Sequence, residues 1–341
     1  MRDFPDKWLV YRLSALGDVI LATGVMRHWH ERFRWRFRVV TREAFAPVFD
    51  TISFVDEVIV PEKADLAMPR LAAWSGSVAA AYQGWGLLDL HGTFRSRLLA
   101  LCWRGPVRRY RKFTVPRRIF LASGGRIGGD ALRALTVPQR YAMAVETAPP
   151  PASSLVPRLC LTDAELAWGK SFLANLFGDD VLKNPAGCVA AHPFAAHAYK
   201  AWPAENYKAL FALLDARNIP WLVLGSGDSL LPGSPRDMTG RTTLRQSAAI
   251  LAACSALVTG DSGPMHMATA VGAPVVGLFG PTTREWGFFP SGPRDRVLEK
   301  GLACRPCSLH GKGTCPRNAQ CLAAITPEEV LAALEAVWSG R

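Results

Sequence analysis

No apolar run in the 341-residue chain approaches the ~18 residues needed to cross a bilayer. The opening residues also lack the basic and then apolar pattern of a secretory leader, since Arg2, Asp3, Asp6 and Lys7 mix both signs of charge. A cytoplasmic protein is expected. Internal repeats and low-complexity tracts are absent too, and 49% hydrophobic with 20% charged residues is the composition of a folded globular chain. Acid is scarce in one half. Residues 1–150 carry 23 basic and 13 acidic side chains, a net +10, whereas residues 151–341 carry 17 and 15, a net +2. The deficit is sharpest from Arg104 to Arg118 (RGPVRRYRKFTVPRR), with seven cations and no acid. Such a surplus attracts nucleic acid, an anionic membrane surface or a phosphorylated substrate, and composition alone does not choose among them.

The chain alternates short apolar runs with segments of helical period, the pattern of βαβ units and a mainly parallel sheet. Strands are expected at Trp8–Leu13, Phe37–Thr41, Val55–Val60, Gly86–Leu90 and Val107–Phe113, and again at Cys188–His192, Trp221–Gly225, Leu257–Thr259 and Pro274–Phe279. The stretch Thr147–Pro157 (TAPPPASSLVP) reads as a linker between two doubly wound domains, residues 1–155 and 156–341. Just beyond it, Thr162 and Glu165 have the spacing of a capping box. Two such α/β domains facing across a cleft make the GT-B architecture, although other two-domain α/β folds share the pattern.

Three segments could carry chemistry. Tyr11–Val19 (YRLSALGDV) sets Asp18 between the first strand and the first helix, at the sheet edge where α/β ligand sites form. Asp18 there is either a helix cap or a general base for a substrate hydroxyl. Val258–Pro281 reads as strand, small-residue turn, helix and strand. Small residues admit a ligand to the backbone, and the free N–H groups of a helix start bind phosphate, so Ser262, Gly263 and His266 outline a phosphate site. Asp261 repels phosphate and suits a cap or a sugar hydroxyl instead. The third segment, His192–Trp202 (HPFAAHAYKAW), offers Lys200 as a phosphate cation or as a merely solvated lysine.

Together these segments resemble the ADP-heptose:lipopolysaccharide heptosyltransferase family, glycosyltransferase family 9. The likeness runs in order along nearly the whole chain: LGDVIL from Leu16, DLHGTFRSRLLA at Asp89–Ala100, Arg140-Tyr141-Ala142, Lys200 with Trp202-Pro203, and GDSGPMHMATAVGAPVVGLFGPT at Gly260–Thr282. The resemblance implies a GT-B enzyme that transfers a heptose from ADP-heptose with inversion and without a catalytic metal. It gives the N-terminal domain to the acceptor and the C-terminal domain to the nucleotide sugar. It makes Asp18 the base, puts Lys200, Ser262, Gly263 and His266 around the donor phosphates, and has Asp261 hold the donor sugar. The implied acceptor is an acidic inner-core glycan bearing Kdo sugars on a membrane lipid, with Arg95 and Arg104–Arg118 as acceptor-side candidates. Peripheral contact at the inner face of the inner membrane, through residues such as Trp35 and Trp103, follows as an expectation. The sequence departs from the family at Gly225-Ser226-Gly227-Asp228, where Asp228 replaces the Glu that holds the nucleotide ribose. The glycine-rich stretch Ser123–Asp130 reads as a loop near the acceptor.

Four of the eight cysteines crowd together as C-x2-C-x7-C-x5-C: Cys304, Cys307, Cys315 and Cys321. In a cytosolic protein this suggests a structural zinc or iron, with disulfides and unligated thiols as alternatives. The layout is similar to the iron-holding finger of bacterial heptosyltransferases that modify surface proteins, which would move the acceptor to serine hydroxyls. A basic half with a cysteine knuckle would also suit a nucleic-acid-binding protein, but no recognition helix or aromatic platform accompanies it.

Overall fold

The computed structural model describes residues 4–339 apart from 185, 310, 312–314 and 316. The chain forms two compact units, one of residues 1–112 with 137–160 and the other of 113–136 with 161–341.

The first unit runs through β1 (Lys7–Tyr11), α1 (Leu16–Phe33), β2 (Arg36–Val40), β3 (Val55–Ile59), α2 (Arg70–Ala81), β4 (Gly86–Asp89), α3 (Phe94–Cys102) and β5 (Val107–Arg109). Its five strands are all parallel, in the order β3-β2-β1-β4-β5. The central strand β1 is apolar along Trp8, Leu9 and Val10 with no alternation, as a strand covered on both faces requires. Strand order reverses between β1 and β4, so the carboxyl ends of these two strands form the switch point at which α/β sheets bind ligands.

The chain then makes α4 (Thr114–Ala122) and α5 (Gly129–Arg133), both part of the second unit, before α6 (Val137–Ala142) returns it to the first. The sequence pattern suggests one boundary near residue 155, whereas the chain passes between units three times. The reasons are local. Phe120 and Leu132 bury themselves against Trp286, and Arg133 reaches Glu285 at 2.5 Å, tying α4 and α5 to the second unit. The Pro-rich stretch expected as a linker packs on α1 instead. Arg27 donates to the carbonyls of Ser154 and Val156 at 3.3 and 3.4 Å, and a Cβ on Gly24 would stand 2.3 Å from the Leu155 carbonyl. The fifth strand stops at Arg109, and Phe113, expected inside it, adopts φ +54° ahead of α4. The glycine-rich stretch expected near the acceptor belongs to the second unit, where it joins α4 to α5. Trp35 and Trp103, expected at a membrane surface, are buried at 3% and 8% exposure; Trp35 meets Phe4 edge-on and packs at a tilt against Trp8 and Phe33, and Trp103 donates to the Trp85 carbonyl.

The rest of the second unit contains α7 (Asp163–Phe177), β6 (Val189–His192), α8 (Ala204–Asp215), β7 (Trp221–Val223), α9 (Leu244–Ala253), β8 (Ala256–Gly260), α10 (Gly263–Ala270), β9 (Val275–Phe279), β10 (Arg296–Glu299), α11 (Gln320–Ala323) and α12 (Pro327–Ser339). Thr162 and Glu165 cap α7 reciprocally, as their spacing predicts. The sheet is again parallel, in the order β10-β9-β8-β6-β7, with its switch point between β6 and β8. Trp202, Tyr207, Phe211 and Trp221 fill the core beneath it, the last two stacked at 3.9 Å.

Candidate active site

In the first unit Asp18 stands in the first turn of α1, two residues inside the helix, and does not cap it. Its carboxylate faces two partners instead. Arg12, just past β1, pairs with Oδ2 at 2.5 Å, and the Tyr141 hydroxyl of α6 donates to Oδ1 at 2.7 Å. Arg12 is itself buried and lies over the Tyr141 ring. Around them stand His91, after β4, and Lys112, after β5. Burial, followed by the charges of Arg12 and Lys112, pushes His91 down to about 4, so it is neutral at pH 7. Burial and Arg12 likewise lower Lys112. The neighbouring Asp89 is structural: wholly buried, it accepts the N–H groups of His91 and Gly92 at 3.1 and 2.7 Å and Arg109 Nε at 2.7 Å. This edge therefore offers one partly exposed carboxylate, held by both oxygens within a set of cations.

In the second unit Lys200, Asp261 and Ser262 come together at the β6/β8 switch point. Lys200 Nζ lies 2.6 Å from Asp261 Oδ2, and the Thr282 hydroxyl donates to the same oxygen at 2.9 Å. Asp261 thus holds the lysine expected to meet phosphate. Ser262 occupies the cap position of α10 without its side chain capping the helix; its hydroxyl lies 3.0 Å from Thr259 Oγ1 and 3.4 Å from His192 Nδ1. The first N–H groups of α10, which opens at Gly263, are therefore left to another acceptor. His266 is buried in the following turn, its ring 6.3 Å from Phe288. Asp228 is exposed on the turn after β7, the edge strand beside β6. Sequence reasoning passed over His192, although it opens the segment that contains Lys200. Burial pushes it down to about 4 and so keeps it neutral beside the two hydroxyls.

The four cysteines expected to hold a structural metal lie in the segment after β10 and in α11. None of the eight cysteines forms a disulfide, and among the described residues no three His, Cys, Asp or Glu side chains are grouped to hold a metal ion. Cys304 and Cys307 are exposed, Cys321 is buried, and Cys315 accepts the Ala319 N–H at 3.3 Å. Burial, followed by the charges of Cys321, Cys304 and Cys315, raises the Cys307 thiol.

The model of glycosyltransferase family 9 (heptosyltransferase) matches residues 87–313, more than half of the chain. The chain belongs to glycosyltransferase family 9. Lipopolysaccharide heptosyltransferase 2 of Salmonella typhimurium is 30% identical over 153 residues, 41% of this family 9 chain. That match spans 43% of the relative, less than half its length. Among solved structures, ADP-heptose LPS heptosyltransferase II of E. coli superposes with a TM-score of 0.72 and 24% identity, over 98% of this chain and 99% of the other. The iron-containing dodecameric glycosyltransferase TibC of enterotoxigenic E. coli gives 0.60 and 14%, over 100% of this chain and 77% of the other. The family 9 chain has the GT-B fold of these neighbours.

Proposed function

We propose that this chain is an inverting glycosyltransferase that moves a heptose from ADP-heptose to an acceptor glycan of the lipopolysaccharide inner core. One observation supports this best: in a chain of the heptosyltransferase family, Lys200, Asp261 and the uncapped start of α10 converge at one switch point. Asp18 takes the proton of the acceptor hydroxyl as its oxygen attacks the anomeric carbon. The bond from that carbon to the β-phosphate oxygen breaks, and ADP departs from the opposite face. Charge builds on the departing phosphate, where Lys200 and the α10 N–H groups stabilise it without reorganising. Asp261 accepts from a sugar hydroxyl while holding the lysine. His266 and Ser262 line the phosphate side, and Asp228 accepts from the ribose. Arg12 keeps the Asp18 carboxylate oriented, and Tyr141 fixes its other oxygen.

The acceptor is acidic on this reading, which suits the cations Arg12, Lys112 and Arg95 at the edge of the first sheet. The enzyme works at the inner face of the inner membrane. Membrane contact falls to α4 and the turn after it, where Val115, Ile119 and Ile127 are 66%, 47% and 61% exposed among Arg111, Arg118 and Arg126. Apolar side chains interleaved with cations are what an anionic interface binds. The structural metal expected at the cysteines takes no part in this reading, which rests on the donor and acceptor residues alone. Transfer to serine hydroxyls of a protein has only the shared fold of TibC behind it, and family membership sets nucleic-acid binding aside.

Calorimetry with ADP-heptose, ADP-glucose, UDP-glucose and GDP-mannose tests the donor. Selective binding of ADP-heptose is expected, and tighter binding of a UDP- or GDP-sugar would overturn the heptosyl assignment while leaving the fold intact.

A further inference from the structure

The cysteine-bearing segment that follows β10 has no role in the function proposed above, yet it lies against Lys200 and reaches Asp261 through Thr282. Its Arg305 is nearly buried, with a side chain 6% exposed. The guanidinium donates Nε to the Gly280 carbonyl at 2.5 Å, Nη2 to the Thr282 carbonyl at 3.2 Å and Nη1 to the Lys300 carbonyl at 2.6 Å, and it pairs with Glu299 at 2.7 Å. One rigid fork thus joins the exit of β9 to the exit of β10. Thr282 in turn donates its hydroxyl to Asp261.

The same segment and its continuation close on these groups from two further points. A Cβ on Gly280 would meet Leu322 at 2.6 Å and Cys321 Sγ at 3.1 Å, so the β9 exit is packed as well as hydrogen-bonded. Gly311, at φ +76°, lies against the stem of Lys200, where a Cβ would stand 2.3 Å from Cγ. Only glycine leaves that path to the lysine open.

We infer that Arg305 is a positioning residue for the nucleotide-sugar site, acting through Thr282 on Asp261 and so on Lys200. This rests on the donor site proposed above. An arginine suits the task because its planar donors span several carbonyls at once, which a lysine cannot reproduce. The cysteine segment is then a brace for donor binding, whatever the state of its thiols.

The test is a double-mutant cycle on donor affinity, read by calorimetry with ADP-heptose and accompanied by melting temperatures. Arg305→Lys retains the charge and guards against simple unfolding; Thr282→Val removes only the hydroxyl link. Each is expected to weaken ADP-heptose binding about tenfold. The double variant is expected to fall within about twofold of the weaker single one, because both changes cut the same path. A merely structural arginine would lower the melting temperature while leaving affinity unchanged, and that outcome overturns the inference. Fully additive losses overturn it too. Failure of the wild-type protein to bind ADP-heptose would count against the donor site itself and remove the inference with it. Normal wild-type binding with an indifferent Arg305→Lys variant would count against Arg305 alone.

Discussion

Lys200 and Asp261 are joined at 2.6 Å with both side chains largely shielded, at 13% and 15% exposure. The lysine therefore meets an incoming phosphate already holding one anion, and the two charges must be shared. Lys200→Ala is expected to weaken ADP-heptose binding tenfold or more, since it removes the cation and leaves Asp261 facing the phosphates. Asp261→Asn is expected to do the opposite for ADP alone, tightening it a few-fold by releasing the lysine, while weakening the sugar-bearing donor. Titration of both variants with both ligands checks this, and parallel losses for ADP and ADP-heptose in Asp261→Asn would contradict it.

Asp89 makes a separate prediction, about stability. It is buried among the N–H groups of His91 and Gly92 and the Arg109 guanidinium, so Asp89→Ala strands a cation and two donors. A loss of about 3–5 kcal/mol is expected in urea unfolding of the first unit's transition. A loss below about 1 kcal/mol would show that these groups find water or other partners.

Two histidines fix the direction of the pH response. His91 and His192 are both pushed down to about 4 by burial, whereas an unfolded histidine titrates near 6.5. Between these values the unfolded chain binds more protons than the folded one. Their contribution is thus intact above about pH 6.5 and falls away as pH drops toward 4. Melting at pH 7.5 and at pH 5 should show the decline, and His192→Gln should show less of it. An identical decline in the variant would place the sensitivity elsewhere.

The face of α4 predicts binding to lipid. Wild-type protein should float with anionic phosphatidylglycerol vesicles at low salt and not with neutral ones, and a Val115→Asp, Ile119→Asp double variant should stay behind. Equal flotation of the variant would remove α4 as the contact.

Much of this was legible in the sequence. The alternation of short strand-like runs with helical segments placed nine of the ten strands among the described residues, and Asp18, Lys200 and the start of α10 stand at the carboxyl edges of the two sheets. The strand β10 was not legible because it is short, half-exposed and framed by Arg294, Asp295 and Lys300. Partners were hidden wherever contact spans long sequence separation: Tyr141 reaches Asp18 across 123 positions, and Arg305 reaches Thr282 across 23. The aromatic pattern misled at Trp35 and Trp103 because large rings next to arginines look like interface anchors until their packing is known. The same holds for α4, whose Pro116 and flanking basic residues mask a helix that depends on Phe120 meeting Trp286.

The central claim is heptosyl transfer with Asp18 as base, and the most direct measurement is turnover of ADP-heptose with a Kdo-bearing inner-core acceptor, for wild type and Asp18→Asn. The account predicts product in the wild type, a fall of about a hundredfold or more in kcat for the variant, and donor affinity unchanged within about twofold. Turnover by Asp18→Asn within tenfold of wild type, or a matching loss of donor binding, would contradict it.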